Sequence, residues 1–366
     1  DASRAVGVTT NLLSDELKPD YIKGISREYE QVRERHKGRK KKVRQHNLEQ
    51  ARANKYIWAD YEPVKPAFLG THVIDNLALD KLVDYIDWSP FFQTWELAGS
   101  YPKILDDEVV GEQARILYQD ARAMLTLIVE EKWLTARAVI GFFPANSEDD
   151  DIIVYRDESR TETLETLHHL RQQNVKAPGK ANYCLSDFIA PVTSGKADYI
   201  GGFAVTTGIG IETKIAEFES QYDDYNSIML KALADRLAEA FAEYLHQQVR
   251  LDHWGYVGDE QFENERLIDE QYQGIRPAPG YPACPDHTEK AKLFDLLDVT
   301  ASTSIELTES YAMYPTAAVS GWYFSHPDSR YFNVGKITQD QVADYAQRKG
   351  LTLAQAERWL SAHLHD

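Results

Sequence analysis

The chain has 366 residues, enough for one large domain or two ordinary ones, and its 43% apolar content is ample for a packed core, which excludes disorder over most of its length. The formal net charge of −18 is uneven, because residues 27–46 hold nine Lys/Arg against three Glu and leave −24 for the rest, a surface that repels nucleic acid. No apolar run approaches the roughly 20 residues that cross a bilayer, and Cys184 and Cys284, distant and without Cys-x-x-Cys spacing, encode neither a disulfide framework nor a cysteine zinc site.

The start, Asp1-Ala2-Ser3-Arg4, has neither an initiator Met nor a signal-peptide pattern and reads as a cytoplasmic fragment that begins mid-protein. Residues Arg33 to Lys42 lack apolar periodicity and repel one another, so they read as a linker or exposed arm with globular sequence after it. Leu79 to Ile86 has a short helical pattern, and Ser89-Pro90 offers an N-cap followed by a proline at the first helical position. A helix over 113–131 follows from the spacing of Leu117, Ala121, Met124 and Ile128. Ala138–Phe143 and Ile152–Tyr155 then flank the polar residues 146–151, the pattern of an antiparallel hairpin with an acidic loop.

His168-His169 has no second pair at metal spacing and reads as ordinary helix-surface histidines. Gly208-Ile209-Gly210 lacks the third glycine of the dinucleotide fingerprint and reads as a strand entering a glycine-rich turn. The longest element runs from about Gln221 to Val249, where Tyr225, Met229, Leu233, Leu237, Phe241 and Leu245 recur every fourth residue on a core-facing stripe. Another of its faces carries Ala232, Asp235, Glu239, Ala242 and His246, small residues mixed with carboxylates suited to a cation. Thr338-x-x-Gln341 and Thr352-x-x-Gln355 are capping-box patterns, with Gly350 between them as a helix stop. Helices and hairpins in irregular order favour an α+β fold over a doubly wound sheet.

Two segments stand out chemically. Arg276 to Pro285 holds four prolines, at 277, 279, 282 and 285, so it forms a stiff, shaped loop; physics leaves a structural crossing and a binding loop both open. Its Arg276 presents a planar fork suited to a carboxylate. Ser320 to Phe332 is dense in aromatics around a Pro-Asp turn, most of them core, with one beside the turn available to stack on a purine.

Arg276-x-x-x-Gly280-Tyr281-Pro282 followed by Pro285-Asp286-His287-Thr288-Glu289-Lys290 resembles the signature of the activation domain of cobalamin-dependent methionine synthase. Four further blocks agree in order: Tyr85 to Phe92, Gly141 to Asn146, Ala232 to Ala240, and Val319 to Pro327. The resemblance spans about residue 70 to the C-terminus. It implies one curved α+β domain over residues 37–366, a twisted antiparallel sheet flanked by helices, after residues 1–36 that look like the tail of a cobalamin module and the start of the basic linker.

The resemblance also implies a task within methionine biosynthesis from homocysteine and methyltetrahydrofolate. The domain binds S-adenosylmethionine in a groove; one electron from flavodoxin or a related reductase and a methyl from S-adenosylmethionine return oxidised cob(II)alamin to methylcobalamin. Asp87 and Glu239 would face the ligand's ammonium and sulfonium, Arg276 its carboxylate, with loop contacts from Ala278, Gly280 and Tyr281 and with Tyr331 and Phe332 near the adenosine. Asp235 and His287 would face the docked cobalamin module.

No side-chain general base is required, because cobalt(I) is the nucleophile and the domain's share is positioning. The Asp-x-His-x-x-Gly motif that supplies cobalt's lower histidine is absent, so cobalamin is expected on a module outside this chain, as is zinc, and homocysteine should not turn over on this fragment alone. Two other readings compete. A stand-alone S-adenosylmethionine-dependent methyltransferase would show a glycine-rich strand-to-helix loop with an acidic residue at the next strand's end, a pattern not found here; a non-catalytic module would use the acidic surface to bind a partner.

Overall fold

The computed structural model describes residues 8–9, 11–14, 17–37, 44–58, 61–260 and 264–364. Contacts divide the chain into two units, Asp1–Gln45 and His46–Asp366. In the first unit, helix α1 (Lys18–Lys37) carries Asp20 in its first turn, where the helix dipole favours an acid. It runs through residues 33–37, so this part of the expected linker is helical, and residues 38–43 lie outside the described residues.

The second unit opens with α2 (Leu48–Ala53), closed by a reciprocal capping box between Asn47 and Gln50. Strand β1 (Gly70–Leu77) leads into a 3-10 turn over Leu79–Tyr85, tighter than the helix its spacing predicts. Helix α3 (Ser89–Thr94) starts where expected with Pro90 in its first turn, but the capping position is Trp88; Ser89 is already helical and its Oγ accepts from the Tyr101 amide. Helix α4 (Gly111–Glu131) buries the predicted Leu117, Ala121, Met124 and Ile128.

Next come β2 (Thr135–Glu148), β3 (Asp151–Tyr155), β4 (Thr163–His168), β5 (Asp198–Ile209), α5 (Ile211–Ser220) and α6 (Asp224–Gln248). They are followed by α7 (Asn264–Ile268), α8 (Glu289–Leu297), α9 (Val299–Thr303), β6 (Glu306–Leu307), β7 (Met313–Tyr314), β8 (Ala318–Tyr323), α10 (Gln339–Lys349) and α11 (Leu353–Trp359).

The main sheet is antiparallel, in the order β4-β3-β2-β5-β8, with β1 also on β2. Strand β2 is long enough to take two partners on one edge: Ala136 to Phe142 pair with β1, and Ala145 to Glu148 with β3. The predicted hairpin is therefore present without its acidic loop. Asn146, Ser147 and Glu148 continue the strand, and the turn contracts to Asp149-Asp150, with Asp149 at φ 51°.

Both faces of the sheet are covered, as the period of two along each strand shows. Ala136, Ala138, Ile140 and Phe142 of β2 meet α4 and the stripe Met229, Leu233, Leu237, Phe241 and Leu245 of α6; Val139, Phe143 and Ala145 meet Leu293, Phe294 and Leu297 of α8. Tyr225, the first residue of that predicted stripe, stays partly exposed and bonds to Asp120. A third cluster packs Leu170, Val334 and Ile337 against Val342, Tyr345 and Ala346 of α10, and Ala356 and Leu360 at α11.

At the C-terminus the Thr352–Gln355 box forms and Gly350 ends α10 at φ 70°, but Thr338 does not cap. Its hydroxyl meets Gln173 and Asp340, while the buried Gln341 side chain bonds both backbone groups of Arg171. His168 and His169 sit at the end of β4, both buried, and not on a helix surface; His168 Nδ1 lies 3.1 Å from Asp151. The class is α+β, as expected. Among the described residues no helix is long and apolar enough to cross a membrane, and no cluster of three or more His, Cys, Asp or Glu could hold a metal ion.

Candidate functional site

The proline-rich loop leaves the sheet beside β8. Ile275 exchanges both backbone hydrogen bonds with Phe324, and the Trp322 amide donates to Pro277 O at 2.9 Å. Gly321 makes this close approach possible, since a Cβ there would sit 2.8 Å from that carbonyl oxygen. The loop then bonds to itself, Gly280 N to Cys284 O at 2.7 Å and Cys284 N to Tyr281 O at 2.9 Å. Gly280 adopts φ 92° directly over the His287 ring, where a side chain would collide with Cε1 at 2.4 Å.

Behind the loop lies a groove of about 530 Å³. Arg276, Ala278, Tyr281 and the intervening prolines form one wall, Tyr331, Phe332 and Asn333 another, and Glu239 of α6 with Val319 and Ser320 of β8 reach it from the sheet side. The Tyr331 hydroxyl accepts from the Arg276 amide at 3.0 Å, so the aromatic wall and the loop are tied together. Phe332 packs its ring against Tyr183 and Phe188, while Tyr281 stands 65% exposed at the rim.

The charges are arranged for an amphoteric ligand. Arg276 Nη2 donates to Glu243 Oε2 at 2.9 Å, and its Nε has no hydrogen-bond partner among the described residues. Burial works against its charge, but Glu243 more than restores it and holds the guanidinium protonated. Glu239, one turn before Glu243 on α6, and Glu270 place carboxylates on the same groove. Lys290 also lines it, its ammonium bonded to Tyr311 O and its pKa lowered by burial.

Six of the ten residues singled out from the sequence therefore line one groove: Glu239, Arg276, Ala278, Tyr281, Tyr331 and Phe332. Gly280 shapes its loop. Asp87 is not among the residues that line this groove, and its Oδ1 accepts from the Ser89 amide at 2.9 Å. Asp235 and His287 also lie off the lining, both exposed: the carboxyl of Asp235 is pushed up by desolvation and by Glu239 one turn on, and His287 is pushed below its ordinary value by desolvation.

Glu243, Glu270 and Lys290 were not singled out. Glu243 left a signal in its spacing of four from Glu239, and Lys290 in its place at the end of the quoted signature. Arg276 suits a carboxylate, Glu239 and Glu270 a cation, and the aromatic and proline walls an apolar body. Among the described residues no histidine or cysteine lines the groove.

Fold and groove together define a ligand-binding α+β module. Residues 78–350 match the family model of the vitamin B12-dependent methionine synthase activation domain. A crystal structure of the MetH reactivation domain bound to AdoHcy is 56% identical over 88% of this chain and 99% of that one, with a TM-score of 0.85. The chain belongs to the family of activation domains of vitamin B12-dependent methionine synthase.

Proposed function

We propose that this chain is the reactivation module of a cobalamin-dependent methionine synthase and binds S-adenosylmethionine in the groove beside the proline-rich loop. The observation that carries the reading is one groove holding a guanidinium, two carboxylates, an aromatic wall and a proline wall, in a chain 56% identical to a reactivation domain bound to AdoHcy. The ligand carries one carboxylate, an ammonium, a sulfonium and a purine, and the donor set fits each. Arg276 takes the carboxylate, Glu239 faces the cationic end, Ala278, Gly280 and Tyr281 supply loop contacts, and Tyr331 with Phe332 packs near the adenosine.

The bound ligand supplies an electrophilic methyl, and the protein's share is to hold it in place. A site that gripped the sulfur too tightly would favour the reactant over the transition state, so carboxylates that flank the groove suit the task better than a tight cage. Residues 1–36 are assigned to the tail of a preceding cobalamin module and the start of its linker, and residues 37–366 to this domain. Asp235 and His287, exposed beyond the groove, would meet the docked cobalamin module, and flavodoxin or a related cytoplasmic reductase would deliver the electron.

Calorimetry with S-adenosylmethionine should show one site, weakened in Arg276→Ala by at least ~1.5 kcal/mol, the order of a charge-assisted hydrogen bond. Unchanged affinity would remove Arg276 from the site. Cob(II)alamin absorbance, followed after reductant and S-adenosylmethionine are added, should fall only when a cobalamin-bearing module is supplied. Methylation of a small acceptor without cobalamin would overturn the reading in favour of a stand-alone methyltransferase.

A further inference from the structure

Behind the groove, four charged side chains alternate in sign. Glu260 accepts from the Nε of Arg250 at 2.7 Å and from its Nη2 at 2.5 Å, Arg250 Nη1 lies 3.9 Å from Glu243 Oε1, and Glu243 Oε2 accepts from Arg276 at the groove wall. Arg250 is fully buried and Glu243 and Glu260 are nearly so, whereas the Arg276 side chain keeps 19% exposure. Arg250 lies seven residues beyond Glu243, two turns along the same face, where α6 passes into a π-helical turn over Val249–His253. The Tyr272 ring covers the Arg250 guanidinium at 4.0 Å, which shields the pair from water.

Each inner member of this chain has an opposite charge in contact on both sides, whereas the ion pair of Arg276 lies on the side away from the groove and the Glu270 carboxylate on the groove acts on it only through space. The uncharged groups around Arg276 do not complete the series. His246, also on α6, is fully buried with neither ring nitrogen hydrogen-bonded among the described residues; burial, Arg250 and Arg276 hold it neutral. The hydroxyls of Tyr272 and Tyr323 likewise have no partner there. The free valence of the chain points at the groove.

We infer that Glu243 and Arg250 are positioning residues, a buried relay of alternating charge anchored at Glu260 that aims Arg276 at an anionic group, and that the ligand's carboxylate is the fifth and last charge of the series. This rests on the reading of the groove as an S-adenosylmethionine site. With Glu243 neutral, Arg250 and Arg276 would face one another across a buried gap with no carboxylate between them, and Arg276, the only one with access to water, would swing away. Affinity for a carboxylate-bearing ligand is thereby coupled to a salt bridge that touches no ligand.

The test compares S-adenosylmethionine with decarboxylated S-adenosylmethionine by calorimetry on the 366-residue chain. Wild-type binding of the parent ligand checks the groove assignment first, and its absence would end that reading independently. Glu243→Gln should weaken S-adenosylmethionine about tenfold or more and the decarboxylated ligand less than about twofold, with no further loss in the Arg276→Ala background. Equal losses for both ligands would mark a merely structural role and overturn the relay, as would an unchanged or raised affinity. Glu260→Gln, at the far end of the series, keeps the idea falsifiable where Glu243→Gln does not fold: it should show the same selectivity between the ligands at smaller size, and no selectivity there also overturns it.

Discussion

Glu239 and Glu243 are one helical turn apart on α6 and have different work. Glu243 is spent on Arg276, and Glu239 lines the groove with its charge available. S-adenosylmethionine carries a sulfonium where S-adenosylhomocysteine has a neutral thioether, so Glu239→Gln should weaken the first ligand more than the second, by about 1 kcal/mol at a half-open site. Equal losses in calorimetry would place Glu239 at a group the two ligands share. At the loop, Gly280→Ala combines a positive φ with a Cβ 2.4 Å from His287, and should cost on the order of 1–3 kcal/mol of stability together with much of the ligand affinity. A variant with the wild-type denaturation midpoint would show that the loop yields at this point.

Between elements, burial decides which ion pairs matter. Arg171 is fully buried, with Nε on Asp150, Nη1 and Nη2 on the two oxygens of Asp187, and Nη1 also on the Asn182 carbonyl; Arg52 of α2 binds the other oxygen of Asp150. One guanidinium thus joins the β2–β3 turn to the 3-10 segment Leu185–Phe188 and, through Asp150, to α2. Arg171→Met would strand a buried carboxylate at Asp187, and should cost roughly 3–5 kcal/mol in urea unfolding. The exposed Lys65–Glu158 pair, as short at 2.6 Å, should be worth under about 1 kcal/mol because water screens it. Similar losses from the two would refute burial as the deciding factor. The polar run at 146–151 reads as a solvated loop from its composition, yet Asp150 and Asp151 are buried because Arg52, Arg171 and Arg348 converge on them from elsewhere in the chain.

For the whole molecule, the buried histidines set the response to acid. Burial lowers His169 to about 3 and His326 to about 4, and holds His246 well below its ordinary value; the His326 Nδ1 accepts from the Asp328 amide, as a neutral ring can. A folded-state pKa below the unfolded one contributes stability that is present above about 6.5 and lost as pH falls through that value. At pH 5 each histidine should have withdrawn roughly 2 kcal/mol relative to pH 7. Asp198 acts in the opposite sense. Burial raises its carboxyl to about 7 against hydrogen bonds from the Ala190 and Tyr199 amides, so its contribution grows as pH falls from 7 towards 4, by about 2 kcal/mol at pH 5. These three histidines outweigh Asp198, and with Asp187, Asp235 and Glu270 also raised by burial and acting in its sense, the unfolding free energy should drop by at most about 3 kcal/mol between pH 7 and pH 5. Equal or higher stability at pH 5 would show that the histidines are not held neutral.

The sequence by itself determined what depends on one segment: the long helix read from its apolar stripe as about Gln221 to Val249 and found over Asp224–Gln248, the stiff loop from its prolines, the α+β class, and the family from its motifs. Most of the groove was legible for the same reason, because Arg276 to Tyr281 and Tyr331-Phe332 are short contiguous runs. Tertiary structure alone decided which distant side chains meet. Arg276 and Glu243 are 33 residues apart and Arg250 and Glu260 ten, and no periodicity specifies either pairing. The burial of His168 and His169 was likewise decided by packing. Local patterns record which face of an element is apolar, whereas the partner of a buried charge is chosen by whatever the assembled core brings within about 3 Å of it.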